Sequence, residues 1–269
     1  MGRHLTACVL GTCFMEYLTT GFKIYIYVMA FIFGTVFGSF SNAWAYRIVH
    51  HENIAKGRSH CAECGHELSA LDLIPVASYL CLGGKCRYCG KKISPRYLIA
   101  ELLCGAYFVS IVAVAGLLVT TVRLLVLGCI LLISSLVDLD IMEIPEGMMI
   151  AGAVVSLLRF LEGVSVGSFF LGLVPAVALL LLVLLMDKIM KRETMGGGDI
   201  KLMAVLGLHF GAAQAVLIMV LACIIGIIAA YATGKGKGKA FPFGPSLALA
   251  AWIAALCGTP LMNWYLSFL

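Results

Sequence analysis

Four of the eleven cysteines are spaced for metal chemistry. Cys61 and Cys64 form one CxxC knuckle, and Cys86 and Cys89 form a second after an interval of 21 residues. Each knuckle can offer two thiolates to one ion, and two knuckles complete a tetrahedral zinc-ribbon site. Gly65 and Gly90 directly follow the knuckles, where such a turn asks for positive φ. Four filled positions leave no place for substrate, so the expected zinc is structural. Free thiols or a redox pair are the alternatives, with Cys81 a bystander and His66 a surface histidine rather than a ligand.

Acidic residues form the second set. Asp138, Asp140, Glu143 and Glu146 cluster where an apolar run ends, and Asp199 follows Gly196-Gly197-Gly198 where another begins. Acids beside transmembrane helices are costly and are functional candidates by default. Two carboxylates held together cannot both ionise cheaply, so they share a proton. One can then activate water as a base while the other protonates a carbonyl oxygen, which is aspartyl-protease chemistry. Glycines before Asp199 would let backbone approach closely and leave room for an extended substrate. The plainer readings make Asp199 a helix N-cap and leave Asp138 and Asp140 as interfacial acids.

The elements that must position these groups are apolar. Of 269 residues, 62% are hydrophobic and only 12% charged, with a mean hydropathy of +1.03. Such a composition excludes a water-soluble globular enzyme, a disordered chain and a fibrous repeat, and implies an all-α polytopic membrane protein. Apolar runs fall near residues 24–46, 97–119, 124–137, 148–161, 168–186, 200–210, 212–233 and 247–268, giving about eight transmembrane helices. The fourth and sixth are short. Merging residues 200–233 into one broken helix would give seven.

Lysine and arginine set the orientation. If the first helix enters from outside, 15 of the 19 fall inside and only Arg3, Lys23, Arg123 and Arg159 remain outside. The expected organisation is an extracytoplasmic segment 1–23, a first helix 24–46, a cytoplasmic metal-binding domain 47–96 with a small zinc-ribbon-like fold, and a transmembrane protease domain 97–269. Residues 234–239 read as a flexible basic loop. Met1-Gly2 with Thr6 is a chance match to a myristoylation motif, and no small-residue site marks a cleavable signal peptide.

Several segments resemble the type IV prepilin peptidases, membrane aspartyl proteases of the GxGD class. Gly38-Ser39-Phe40-Ser41-Asn42 with Tyr46-Arg47 is similar to their first-helix signature. The stretch from Arg58 to Cys61, then Ile74 to Tyr79, Cys86 to Gly90, and Ile93 to Tyr97 with Glu101 resemble their cytoplasmic domain. Val137-Asp138 through Ile144-Pro145, Gly196 through Leu202, and Phe243-Gly244-Pro245 resemble the remaining motifs. Ala43 and Glu146 depart from the pattern.

The resemblance implies catalysis by Asp138 and Asp199, on either side of an active-site loop of Gly196, Gly197 and Gly198. It implies cleavage of prepilin or pseudopilin leaders after a glycine, at the cytoplasmic face of a bacterial cytoplasmic membrane. It also implies N-methylation of the new terminus with S-adenosylmethionine as methyl donor, Glu101 being a candidate contributor. Glu101 could equally be a helix-end acid paired with Arg96. Asp140, Glu143 and Glu146 are placed to receive a basic leader, and the loop's basic residues to meet anionic lipid. Expected partners are prepilins and membrane lipid, with no nucleic acid. The competing classes are a proton-coupled transporter using Asp138 and Asp199 as a relay, a peptidase-only homologue, and an inactive assembly factor.

Overall fold

The computed structural model describes residues 18–53, 57–191, 195–232 and 241–267. Most of the expected segment 1–23, the basic loop 234–239, Lys56 and Arg192 lie outside the described residues. The described residues are mostly helical and contain no strand, only two isolated bridges, His60–Glu67 and Lys85–Lys92.

The helices in chain order are α1 (Thr20–Val49), α2 (Ala77–Cys81), α3 (Pro95–Ala115), α4 (Val119–Ile141) and α5 (Glu146–Ser156), the last followed by a 3₁₀ turn, Leu157–Phe160. After them come α6 (Val166–Leu171), α7 (Val174–Met190), α8 (Gly197–Phe210), α9 (Ala212–Ala232) and α10 (Gly244–Leu266). Among the described residues, six stretches are long and apolar enough to cross a membrane: α1, α3, α4, α6 with α7, α9 and α10. The protein is therefore a multi-pass membrane protein.

Eight spans were expected, and the two runs outside these six are the short fourth and sixth. Helix α5 has 11 residues and α8 has 14, so at 1.5 Å per residue they reach about 16 and 21 Å, below the roughly 30 Å hydrocarbon core. Both are shielded by protein. α5 packs against α4 and α8, and α8 packs against α5, α7 and α9.

Close packing depends on small residues, as it does between helices in lipid. A Cβ added at Gly34 of α1 would come within 2.7 Å of Gly105 Cα on α3, and one at Gly172 within 2.2 Å of the Gly207 carbonyl oxygen on α8. The core runs through α3, α4, α8, α9 and α10, with Ile111, Leu127, Val137, Leu206, Ile218 and Leu247 fully enclosed.

Ionic groups gather at the helix ends. Arg123, at the start of α4, holds Glu162 through two bonds of 2.7 and 3.1 Å and donates to the His209 carbonyl at 2.9 Å. Arg159 donates to the Leu208 carbonyl at 2.7 Å. These two arginines, both assigned to the outer side, are thus occupied in closing the C-terminus of α8, whose last carbonyls lack intrahelical partners. At the other ends of α4 and α8, Arg96 pairs with Asp140 and Lys201 with Glu146, each at 2.5 Å.

Candidate active site

Two groups of candidate residues lie near the ends of α1, α3, α4 and α8. The first is acidic. Asp138 lies in the last turn of α4 and is 5% exposed. Its Oδ2 accepts a 2.8 Å hydrogen bond from the Gly244 N–H, the first residue of α10. A helix N-terminus, with unsatisfied N–H groups and positive dipole, is thereby aimed at this carboxylate.

Asp199 lies in the first turn of α8, close enough to Asp138 for their charges to interact. It is not the N-cap. That position belongs to Gly196, and Asp199 is three residues further on, its N–H bonded to the Gly196 carbonyl at 3.2 Å. The plain capping reading of this acid therefore fails.

The three glycines are not equivalent. A Cβ at Gly198 would press to 3.1 Å from Ile144 Cβ, one at Gly196 would make an ordinary 3.6 Å contact with Asp199 Oδ2, and one at Gly197 would meet nothing within 4 Å. Gly198 is the position where backbone approach matters; Gly197 borders open space.

Asp140 and Glu146, expected to meet a basic leader, are already paired with Arg96 and Lys201, while Glu143 is exposed. Arg96 also donates to the Leu136 carbonyl at 2.6 Å. One guanidinium thus ties the first turn of α3 to the turn of α4 that carries Asp138.

The second group surrounds the cysteines. The sulfurs of Cys61, Cys64, Cys86 and Cys89 lie within 4.8 Å of one another. A tetrahedral ion with bonds of about 2.3 Å asks for sulfurs roughly 3.8 Å apart, so the quartet fits zinc with a slight contraction. The knuckles are near copies. Gly65 N–H bonds the Cys61 carbonyl at 2.8 Å, Gly90 N–H bonds the Cys86 carbonyl at 3.0 Å, and both glycines have φ of +70°. Backbone N–H groups of Cys89 and Tyr88 point at Cys86 and pull its thiol down to about 7, which favours the thiolate a metal requires. Cys81 is exposed and outside the quartet.

Between this module and the adjoining ends of α1 and α3 lies a cavity of about 400 Å³, lined among others by Asn42, Tyr46, Glu52, His60, Tyr97 and Glu101. Glu101 is 8% exposed. Its partner is not Arg96: Oε2 accepts from the Val76 N–H at 2.8 Å, where Val76 holds an unusual φ of +62°.

Residues 32–115 match the family model for the Bacterial Peptidase A24 N-terminal domain, and residues 125–231 match that of the Type IV leader peptidase family. Relatives named prepilin leader peptidase/N-methyltransferase occur in several bacteria. The one from Neisseria gonorrhoeae is 33% identical over 221 residues, covering 80% of this chain and 77% of its own. The chain belongs to the type IV leader peptidase family. The relative from Bacillus subtilis (strain 168) is 32% identical over 88% of this chain and 96% of its own, and that from Pseudomonas putida 31% identical over 87% and 91%. No solved structure matches.

For a member of this family, the first match covers α1 from residue 32, the cysteine module and α3, and the second covers both acids. One residue of the acidic site escaped the sequence reading. Gly244 stood out only as part of Phe243-Gly244-Pro245, and its contact with Asp138 spans 106 residues. The available signal was a glycine and proline at the start of an apolar run, which marks a helix N-terminus but not its target.

Proposed function

We propose that this protein is a bifunctional enzyme of the bacterial cytoplasmic membrane. It removes the leader from prepilins or pseudopilins after a glycine, on the cytoplasmic side, and N-methylates the residue exposed. The observation that carries the proposal is that Asp138 and Asp199, at adjoining helix ends, lie close enough for their charges to interact, in a chain of this family.

In the peptidase step one aspartate takes a proton from water, which adds to the scissile carbonyl, while the other protonates the carbonyl oxygen. Collapse of the tetrahedral intermediate breaks the C–N bond and passes a proton to the departing amine. Gly244 N–H holds Asp138 in orientation, and the open side of Gly197 admits the extended segment around the cleaved bond.

For methylation, the cavity beside the cysteine module suits S-adenosylmethionine. Tyr46, Tyr97 and His60 offer aromatic surface to an adenine, and Glu52 and Glu101 offer carboxylates to hydroxyl or ammonium groups. The bound donor supplies an electrophilic methyl group. Zinc on the four cysteines serves as a structural staple for a module of about 50 residues, too small to build much core unaided. Residues 47–96 then form the metal-binding domain and 97–269 the protease domain.

The test uses purified full-length protein in detergent with a prepilin and labelled S-adenosylmethionine. Loss of the leader and label on the new N-terminus are expected. An Asp199→Asn variant given already-cleaved pilin should still transfer the label. A folded protein that leaves the prepilin uncut overturns the peptidase reading, and one that cuts without transferring label overturns the methyltransferase reading.

A further inference from the structure

The segment between the two knuckles is not built like the rest of the module. Residues 73–84 carry no charge, and Leu71, Leu73, Ile74 and Leu80 are all exposed, Leu71 to 63% and Leu80 to 64%. In water this would be an apolar patch with no cover. The same segment forms one wall of a groove whose other wall is Phe31, Ile32, Thr35 and Val36 of α1.

Those α1 residues set its depth. A helix needs about 20 residues to cross the hydrocarbon core. Counting from Lys23 at the outer end places the inner boundary near Ala43. At 1.5 Å per residue, Val36 and Phe31 then lie about 10 and 18 Å below that boundary. The wall facing them is at the same depth as these α1 residues, and α1 exposes Phe33 (57%) and Val36 (47%) there. Its exposed leucines continue a surface that already faces acyl chains.

The backbone is arranged for such a place, where polar groups must be satisfied within the protein. N–H groups of Ser78, Leu80 and Leu82 bond the carbonyls of Ile74, Val76 and Ser78 at 3.0 to 3.1 Å. Val76 N–H, at the positive-φ corner that starts α2, is taken by Glu101. The polar side chains point back toward the module. Asp72 accepts from Ser69 Oγ at 2.7 Å and Tyr88 Oη at 3.0 Å and pairs with Arg87 at 2.8 Å, and Tyr79 Oη donates to the Ile93 carbonyl at 3.4 Å.

We propose that residues 70–82 form a re-entrant wedge, inserted beside α1 and solvated by lipid acyl chains. The cytoplasmic module is then anchored in the bilayer between its two knuckles, and the buried Glu101 carboxylate is the bracket that closes the wedge at its turn.

The full-length protein is placed in nanodiscs of phosphatidylethanolamine and phosphatidylglycerol. Leu71→p-benzoylphenylalanine and Leu80→p-benzoylphenylalanine are illuminated, with the same substitution at Phe33 and Glu63 as lipid-facing and water-facing references. Lipid-mass adducts on acyl carbons are expected at 71 and 80, in yields within about threefold of position 33, and none at 63. Adducts at 33 alone, or crosslinks joining two copies of the chain, would overturn the wedge. Hydroxyl-radical footprinting of the unsubstituted protein in the same nanodiscs gives an independent reading. Leu71, Ile74 and Leu80 should be oxidised as little as Ile32 of α1, while Tyr88 is oxidised heavily. Oxidation of the three well above that of Ile32 refutes the proposal.

Discussion

Replacing Gly244 by alanine isolates the contact that holds Asp138. The new Cβ would lie 2.8 Å from Asp138 Oδ2 and 3.3 Å from its Cβ and Cγ, where ordinary contact begins at 3.4 Å. The carboxylate must retreat by roughly 0.6 Å, and the 2.8 Å bond from the Gly244 N–H is lost or bent. A hydrogen bond to a charged group is worth about 1.5–3 kcal/mol. At 1.36 kcal/mol per factor of ten, kcat/KM for leader removal should fall roughly 10- to 100-fold. The fold should survive, because Gly244 does not hold positive φ and alanine favours a helix over glycine. The assay is steady-state cleavage of a purified prepilin, with size-exclusion elution as the check on folding. A folded Gly244→Ala enzyme within threefold of wild type would refute the argument that this N–H orients the acid.

Asp138→Asn and Asp199→Asn should each abolish cleavage in the same assay, whereas Asp140→Asn should lose no more than about fivefold. Asp140 takes part in a half-exposed pair with Arg96, and such pairs contribute about 0–1 kcal/mol. Gly198→Ala should impair cleavage more than Gly197→Ala, because only the former presses on Ile144; equal rates would remove the packing argument. Elemental analysis of protein purified without chelator should find one zinc per chain, and Cys86→Ser should lower it together with the protease resistance of residues 57–94. A metal-free enzyme of full activity would end the structural-zinc reading. Gly90→Ala, which forces a side chain onto φ of +70°, should release zinc to a chelator faster than wild type.

The local features were readable from the chain alone. Apolar runs follow from composition, and all six long helices lie where such runs occur. The two knuckles follow from spacing, and positive φ at Gly65 and Gly90 was implied by turn geometry within four residues. Asp138 and Asp199 were conspicuous because acids are rare against apolar runs. What the sequence could not decide was what covers the short fourth and sixth runs. An apolar stretch of 11 to 14 residues is as acceptable to a protein neighbour as to lipid, so hydropathy does not separate the cases.

Tertiary structure alone decided the partners. Glu101 was equally open to Arg96 by sequence, yet it meets Val76, while Arg96 crosses to Asp140 and the Leu136 carbonyl. Gly244 reaches Asp138 only because α10 returns to the end of α4. The depth of residues 70–82 was hidden for the same reason: it is set by which turn of α1 they pack against. Helix formation and knuckle turns are governed by interactions within a few residues, so they leave a periodic trace in one chain. Contacts between helices depend on crossing geometry and on the register of distant side chains, and no local pattern in a single sequence encodes that.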